Sequence, residues 1–403
     1  MLGLTSVCVF LFSALALAVN SGYSLGALVL LLASSWLLWK RPRLNLQRRD
    51  YLMLGTLLLY FFIFTANMLY HGDPARELDI PLRALLAAPV MLLLIAYPPR
   101  PAAWWSGLAI GATTGAALAF SQFLATNATR PQAATSNPIH YGNASMLFGM
   151  LALSGLGWAR EQRHSTAWTC LLLAGGLAGV FGSVISSSRG GWVVLPICLV
   201  IIAVHHAKQH GKRYRIAMFT LLLAIIAAAY AMPSSLVYQR AIIAVSELEK
   251  FERAGDAATS VGQRLEMWHT ALEMSKQNLW LGMGRTGYLA QKQELVAEGK
   301  MSTSISAYTN AHNDYLDALV KRGILGLLAL LALFIVPLTL FGYALRHNLP
   351  SARPYALAGV ILCTCYPVFG LTTSSLTLNI GIIMLVFPMV ILWAMLRQQE
   401  RVA

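Results

Sequence analysis

Two short stretches hold the residue types that could do chemistry. The first is Ser186-Ser187-Ser188-Arg189-Gly190-Gly191-Trp192, which joins two apolar runs. A guanidinium inside an apolar slab costs about 2.5–3.5 kcal/mol on insertion scales, so Arg189 either snorkels to lipid headgroups or meets a partner. Its planar fork of donors suits phosphate oxygens, and the serines and glycines beside it leave room for a headgroup. The second stretch is His312-Asn313-Asp314-Tyr315-Leu316-Asp317, at the entry to a later apolar run. Imidazole titrates near neutrality and can act as a general base, although the same residue could merely cap or pack the helix. Asp314 is too near in sequence to share its helical face, whereas Leu316 is its i+4 neighbour. His71, His140 and His269 are further candidates on the same side. His164, His205, His206, His210 and His347 fall in or beside basic loops on the other.

The elements that must position these residues are read from composition. Of 403 residues, 57% are hydrophobic and 11% charged, with a mean hydropathy of +0.61. Soluble domains carry about 25% charged residues, so a water-soluble enzyme, a disordered chain and a disulfide-stapled secreted module are excluded. A membrane-crossing helix needs about 20 mostly apolar residues. Such segments fall near 3–19, 22–39, 51–70, 80–97, 102–125, 139–158, 167–186, 191–206, 214–232, 323–345, 355–372 and 377–396. The expectation is an all-α polytopic membrane protein with about twelve spans. The first span ends in Ala-Leu-Ala but has no Lys or Arg ahead of its apolar run, and is read as a retained helix. The five cysteines lie in apolar runs and read as packing residues. Cys363 and Cys365 point to different sides of a helix, so neither a disulfide nor a metal site is expected.

Basic residues set the orientation. Sixteen lie in one set of loops, from Lys40 through Arg401, against Arg76, Arg83, Arg130 and Arg189 in the short loops opposite. The remaining ten lie in one long segment, about 233–322, which the rule exempts. The bias puts both termini in the cytoplasm and the long loop outside. It also explains much of the +14 net charge without nucleic acid. Three regions follow: an N-terminal bundle over 1–232 with about nine spans, a periplasmic helical loop domain over 233–322, and three C-terminal spans with a tail over 323–403.

Within the long loop, Leu265, Met267, Trp268, Ala271, Leu272 and Met274 recur at helical spacing, with Arg264 beside the start of the stripe. A break over 278–287 precedes a polar helix from about Tyr288 to Gly299 and a Ser/Thr-rich loop. Helix restarts over 311–322 with Tyr315, Leu316, Leu319 and Val320 on one face. The break contains Gly282-Met283-Gly284-Arg285-Thr286-Gly287, formally G-x-G-x-x-G. No βαβ unit surrounds it, which a dinucleotide site would need. A tight turn with positive-φ glycines and a helix start contacting phosphate both stay open.

Together these motifs resemble bacterial O-antigen ligases. Ser188-Arg189-Gly190-Gly191-Trp192 at an outer span boundary is similar to a signature of that family, as is the stretch 311–326, with His312 and Asn313 followed by Gly323 and Gly326. Gln263, Arg264 and Trp268, with Gly282 and Gly284 after them, resemble the family's outer loop. The His-Asn-to-Gly pattern is shared with O-antigen polymerases and protein O-oligosaccharyltransferases. The resemblance implies a GT-C-like membrane glycosyltransferase of the bacterial inner membrane that needs no cofactor and no metal. Its donor would be an undecaprenyl-diphosphate-linked O-antigen and its acceptor lipid A–core, joined on the periplasmic face. Arg189 and Arg264 would bind the diphosphate and stabilise its developing charge. His312 would take the acceptor's proton in a single inverting displacement, Arg285 would be a further phosphate contact, and Asn313, Asp314, Gly190, Gly191 and Trp192 would support the site. The competing class is a secondary transporter or lipid flippase. It would carry ionisable groups near mid-membrane, and the apolar runs here are nearly free of them.

Overall fold

The computed structural model describes residues 1–126, 130–210, 236–254 and 258–402, with residues 216 and 220. Every regular element among them is helical: α1 (Leu2–Leu15), α2 (Gly22–Ser34), α3 (Trp36–Lys40), α4 (Arg48–His71), α5 (Asp79–Ala96), α6 (Pro101–Thr126), α7 (Pro138–Ser154), α8 (Leu156–Arg160), α9 (Ser165–Ile185), α10 (Arg189–His210), α11 (Leu236–Ala254), α12 (Ser260–Ser275), α13 (Gly284–Ala297), α14 (Asp314–His347), α15 (Arg353–Gly370) and α16 (Asn379–Val402). Nine of the twelve expected spans are matched by apolar helical stretches of at least 18 residues among the described residues, as a polytopic membrane protein requires. The other three differ. The first is the 14-residue α1, the sixth is the 17-residue α7, and 214–232 falls almost wholly outside the described residues.

Local chemistry explains where the helices start. Asp50 closes a capping box on Gln47, accepting its backbone N–H at 2.8 Å. Asn137 caps α7 by accepting from Ile139 at 2.8 Å, with Pro138 at the first helical position. Asn313 caps α14, accepting from Tyr315 and Leu316 at 3.0 and 3.1 Å.

The spans pack around one hydrophobic core. α6, α7 and α9 approach closely through small residues; a Cβ on Gly179 would lie 2.6 Å from Gly149 Cα, and one on Gly175 2.6 Å from Ala109 Cα. α16 is the most enclosed helix, with every residue from Ile382 to Leu396 buried, and it packs against α5 and α15. Its end is anchored by Arg397, which donates to Asp50 at 2.9 Å, while Trp393 Nε1 donates to the same carboxylate oxygen at 2.8 Å. Arg397 also pairs with Glu400 at 2.5 Å, so removing Arg397 would leave the buried Asp50 carboxylate without its countercharge.

Residues 260–313 are fastened to the bundle where α4 and α14 end and begin. The Ile324 N–H donates to Leu279 O at 2.8 Å, and the Met283 N–H to Val320 O at 3.0 Å. Asn67 Nδ2 donates to Leu281 O at 2.6 Å, and His71 Nε2 lies 3.1 Å from the same oxygen. This docking bends α14 at Gly323, whose φ of 65° and ψ of −165° only glycine adopts readily. A Cβ there would sit 2.2 Å from Trp280 O. Gly323→Ala is expected to destabilise the protein by about 1–3 kcal/mol, read as a lower melting temperature in detergent. A melting temperature equal to the parent's would show that the bend is not built on this residue.

Candidate functional site

The Arg189 turn is assembled against the start of α7. Ser188 Oγ donates to Asn143 Oδ1 at 2.7 Å, and a Cβ on Gly191 would lie 2.3 Å from Ser183 Oγ and 3.2 Å from Gly142 O. A Cβ on Gly190 would press Asn143 Oδ1 at 3.0 Å, so both glycines serve close packing. Trp192 Nε1 donates to Ser183 O at 3.4 Å, and the turn leaves Arg189 half-buried at the first position of α10.

Arg264 comes from the first turns of α12. Thr259 caps that helix, accepting from Gly262 at 3.1 Å, and Glu247 of α11 accepts from Val261 at 3.2 Å. Met267, Ala271 and Met274 face inward as the spacing predicts, while Leu272 turns outward. Two side chains tie α12 to the loop before α14. Tyr308 Oη donates to Gln263 Oε1 at 3.3 Å, and Glu266 accepts the Ser302 N–H at 2.7 Å.

That loop presents His312 under tight control. Lys292 of α13 donates to the carbonyls of Ile305, at 2.9 Å, and Tyr308. Lys321 donates to Thr309 O at 2.9 Å and pairs with Asp317 at 2.7 Å, and Asp317 accepts the Ala311 N–H at 3.1 Å. His312 itself has a left-handed backbone, φ 50°, held by its N–H donating to Asn310 Oδ1 at 3.1 Å. Its ring meets the Tyr308 ring edge-on at 4.9 Å, and its Nδ1 is buried without a hydrogen-bond partner.

Electrostatics join the three motifs. Burial first, then the positive charges of Arg189 and Arg130, hold the Arg264 guanidinium below its ordinary basicity. Burial, then Arg264, push His312 down to about 4, so the imidazole is neutral at physiological pH. Three guanidinium groups and an uncharged base thus share one region. Such clustering of like charge favours an anionic ligand, and the neutral imidazole keeps a lone pair for a proton.

The remaining expected residues take other places. Arg285 does not join this group: its head pairs with Glu77 at 2.5 Å, and its N–H and that of Thr286 each donate to Asp73 at 2.8 Å. Burial raises the Asp73 carboxyl, but these two donors and Arg322 outweigh it and hold it below its ordinary value. The start of α13 therefore already holds a carboxylate, and Gly282 and Gly284, with φ of 68° each, make the tight turn before it. Asn313 caps α14 and donates to Leu371 O at 3.2 Å, and Asp314 accepts from Ser375 and Leu376 at 3.1 Å each. Both fix the start of α14 against the segment that follows α15. His140 is buried near His312, while His71 is bound to Leu281 O and His269 is exposed.

A hydrophilic cavity of about 310 Å³ lies behind the same loop, walled by Thr309, Asn310 and Asp317 and by the facing ends of α4 and α5. The loop clamp of Lys292 and Lys321, and Tyr308, went unnoticed in sequence reading. The one signal was the i,i+4 spacing of Asp317 and Lys321, which usually marks a solvated pair.

Residues 173–331 match the family model described as O-antigen ligase. Over this stretch the chain is similar to that family. The stretch contains Arg189, Arg264, Arg285, His312 and Gly323, and members of the family are membrane enzymes of glycosyltransferase type. Over 380 residues the chain is also 24% identical to a Haemophilus influenzae protein named only as uncharacterized, which covers 93% of this chain and 94% of the relative.

The neutrality of His312 is directly testable, because diethyl pyrocarbonate reacts with uncharged imidazole. Burial and Arg264 disfavour the imidazolium, so carbethoxylation of His312, followed by peptide mass mapping, should stay level from pH 8 to 5 and fall only towards about 4. In Arg264→Gln the repelling charge is gone, so the fall should begin at higher pH. A fall at the same pH in both proteins would uncouple the two residues.

Proposed function

We propose that this chain is an O-antigen ligase of GT-C-like architecture, moving a glycan from undecaprenyl diphosphate to lipid A–core. The observation that carries the reading is the convergence of Arg189 and Arg264, with Arg130, beside a neutral His312. In the proposed step the acceptor hydroxyl oxygen attacks C1 of the first donor sugar. The bond from C1 to the diphosphate oxygen breaks, and undecaprenyl diphosphate leaves with that electron pair. His312 takes the acceptor's proton, and one displacement inverts the anomeric centre. The guanidinium groups stabilise charge as it grows on the leaving diphosphate, which needs neither a nucleotide nor a metal. The bound diphosphate would also offset the positive field that suppresses His312, making the imidazole a stronger base once the donor is seated.

We place the site at the periplasmic face of the inner membrane, with both termini in the cytoplasm and residues 233–322 outside, on the sixteen-to-four distribution of basic residues. In a cysteine-free background, Lys276→Cys should react with a membrane-impermeant maleimide in spheroplasts, and Lys40→Cys only after permeabilisation. The reverse pattern would overturn the orientation.

Transfer from a lipid-diphosphate glycan to lipid A–core by the purified protein is the direct test, with glycan chain growth followed separately. Arg189→Ala and Arg264→Ala should nearly abolish transfer while the protein accumulates normally. Arg189→Lys should fall well below the parent, since an ammonium keeps the charge but loses the fork. His312→Ala and His312→Gln should lose about 10²–10⁴-fold in turnover yet keep donor binding. Near-normal turnover by His312→Gln would remove the histidine from the mechanism, and chain growth without transfer to lipid A–core would make the protein a polymerase.

A further inference from the structure

The cavity behind the His312 loop differs in kind from the arginine cluster. Acidic and basic side chains line it in equal number, four of each. Most are already paired: Arg285 with Glu77 at 2.5 Å, Lys321 with Asp317 at 2.7 Å, and Asp79 with Arg83 at 2.5 Å. Arg322 lies 3.9 Å from Glu77 and stacks over the Phe64 ring at 4.4 Å. An anion would find its countercharges taken. A neutral polyol would not, because paired carboxylates and guanidinium groups keep spare lone pairs and N–H donors for hydroxyls. One such donor is Arg285 Nε, which is buried with no hydrogen-bond partner. Tyr60 and Phe64 add ring surface to the wall, which suits the apolar faces of a sugar.

Position narrows the ligand further. Thr309 and Asn310, which line the cavity, are three and two residues before His312, and Asn310 Oδ1 accepts the His312 N–H. A saccharide held here therefore touches the segment that presents the base. We propose that this cavity is a saccharide subsite and that it holds the terminal sugars of the acceptor, on the opposite side of the loop from the diphosphate. The inference deepens the glycan-transfer reading and rests on it for the acceptor's identity, while saccharide binding itself can be measured without any transfer.

The experiment uses the full-length protein in detergent and two variants at exposed lining positions. Leu378→Trp adds bulk at an exposed lining position, and Arg76→Ala removes the lining basic residue that takes no part in the contacts described. Binding of delipidated core oligosaccharide, of soluble O-antigen glycan and of undecaprenyl diphosphate is measured on each. Core oligosaccharide should bind the parent and weaken about tenfold or more in Leu378→Trp, the scale of losing one or two hydrogen bonds to charged groups. Arg76→Ala should weaken it in the same direction, and undecaprenyl diphosphate binding should be unchanged in both, which also reports an intact fold. In transfer assays the acceptor KM should rise without change in the donor KM. Loss of O-antigen glycan binding instead would give the cavity to the donor and overturn the acceptor assignment. Unchanged binding of both glycans in Leu378→Trp would overturn the subsite altogether. Core oligosaccharide binding that Leu378→Trp abolishes in a parent lacking transfer would leave the subsite standing and refute the transferase reading.

Discussion

The site depends on an ion pair that is almost wholly buried. Asp317 and Lys321 meet at 2.7 Å with side chains only 4% and 5% exposed. Desolvating two charges costs several kcal/mol per ion unless their remaining hydrogen bonds are satisfied. Here the satisfying partners are the backbone of the loop itself, Ala311 N–H on the carboxylate and Thr309 O on the ammonium. The pair can be buried only if the loop is folded down, and the loop is folded down only if the pair is buried. Lys292 repeats the device at the carbonyls of Ile305 and Tyr308. The strained backbone of His312 is tolerated because its neighbours on both sides are fixed in this way.

With the loop fixed, electrostatics divide the surrounding space. Arg189 and Arg130 add positive charge around the buried Arg264 guanidinium. The cavity lined by Thr309 and Asn310 has charges that are largely matched within the protein. Burial, then the nearby positive charge, keep His312 unprotonated.

The bundle supplies the rigid frame. Small residues let α6, α7 and α9 approach closely, which brings the Ser188–Trp192 turn against Asn143. Gly323 lets α14 bend over the 279–283 segment. Because that segment also binds Asn67 and His71 of α4, the loop helices and the spans form one packed unit at this end.

Hydropathy determined the class of molecule, the position of most spans and the amphipathic register of α12, because burial in lipid or against a core demands apolar surface at fixed periods. Residue chemistry also marked Arg189 and His312, since a guanidinium at an apolar boundary and an imidazole at a helix entry are costly or reactive wherever they fall. Tertiary structure alone decided which charges are buried. On the first turns of α14 the apolar spacing of Leu316 and Val320 was legible, yet Asp314, Asp317 and Lys321 are buried too. Periodicity assigns charged residues to water, and only the partners brought by the 299–311 and 371–376 segments make their burial affordable. Arg285 shows the same limit, because its partner Glu77 is 208 residues away in sequence. Pairing over such distances depends on which helix ends meet in space, and no local pattern of residue types records that.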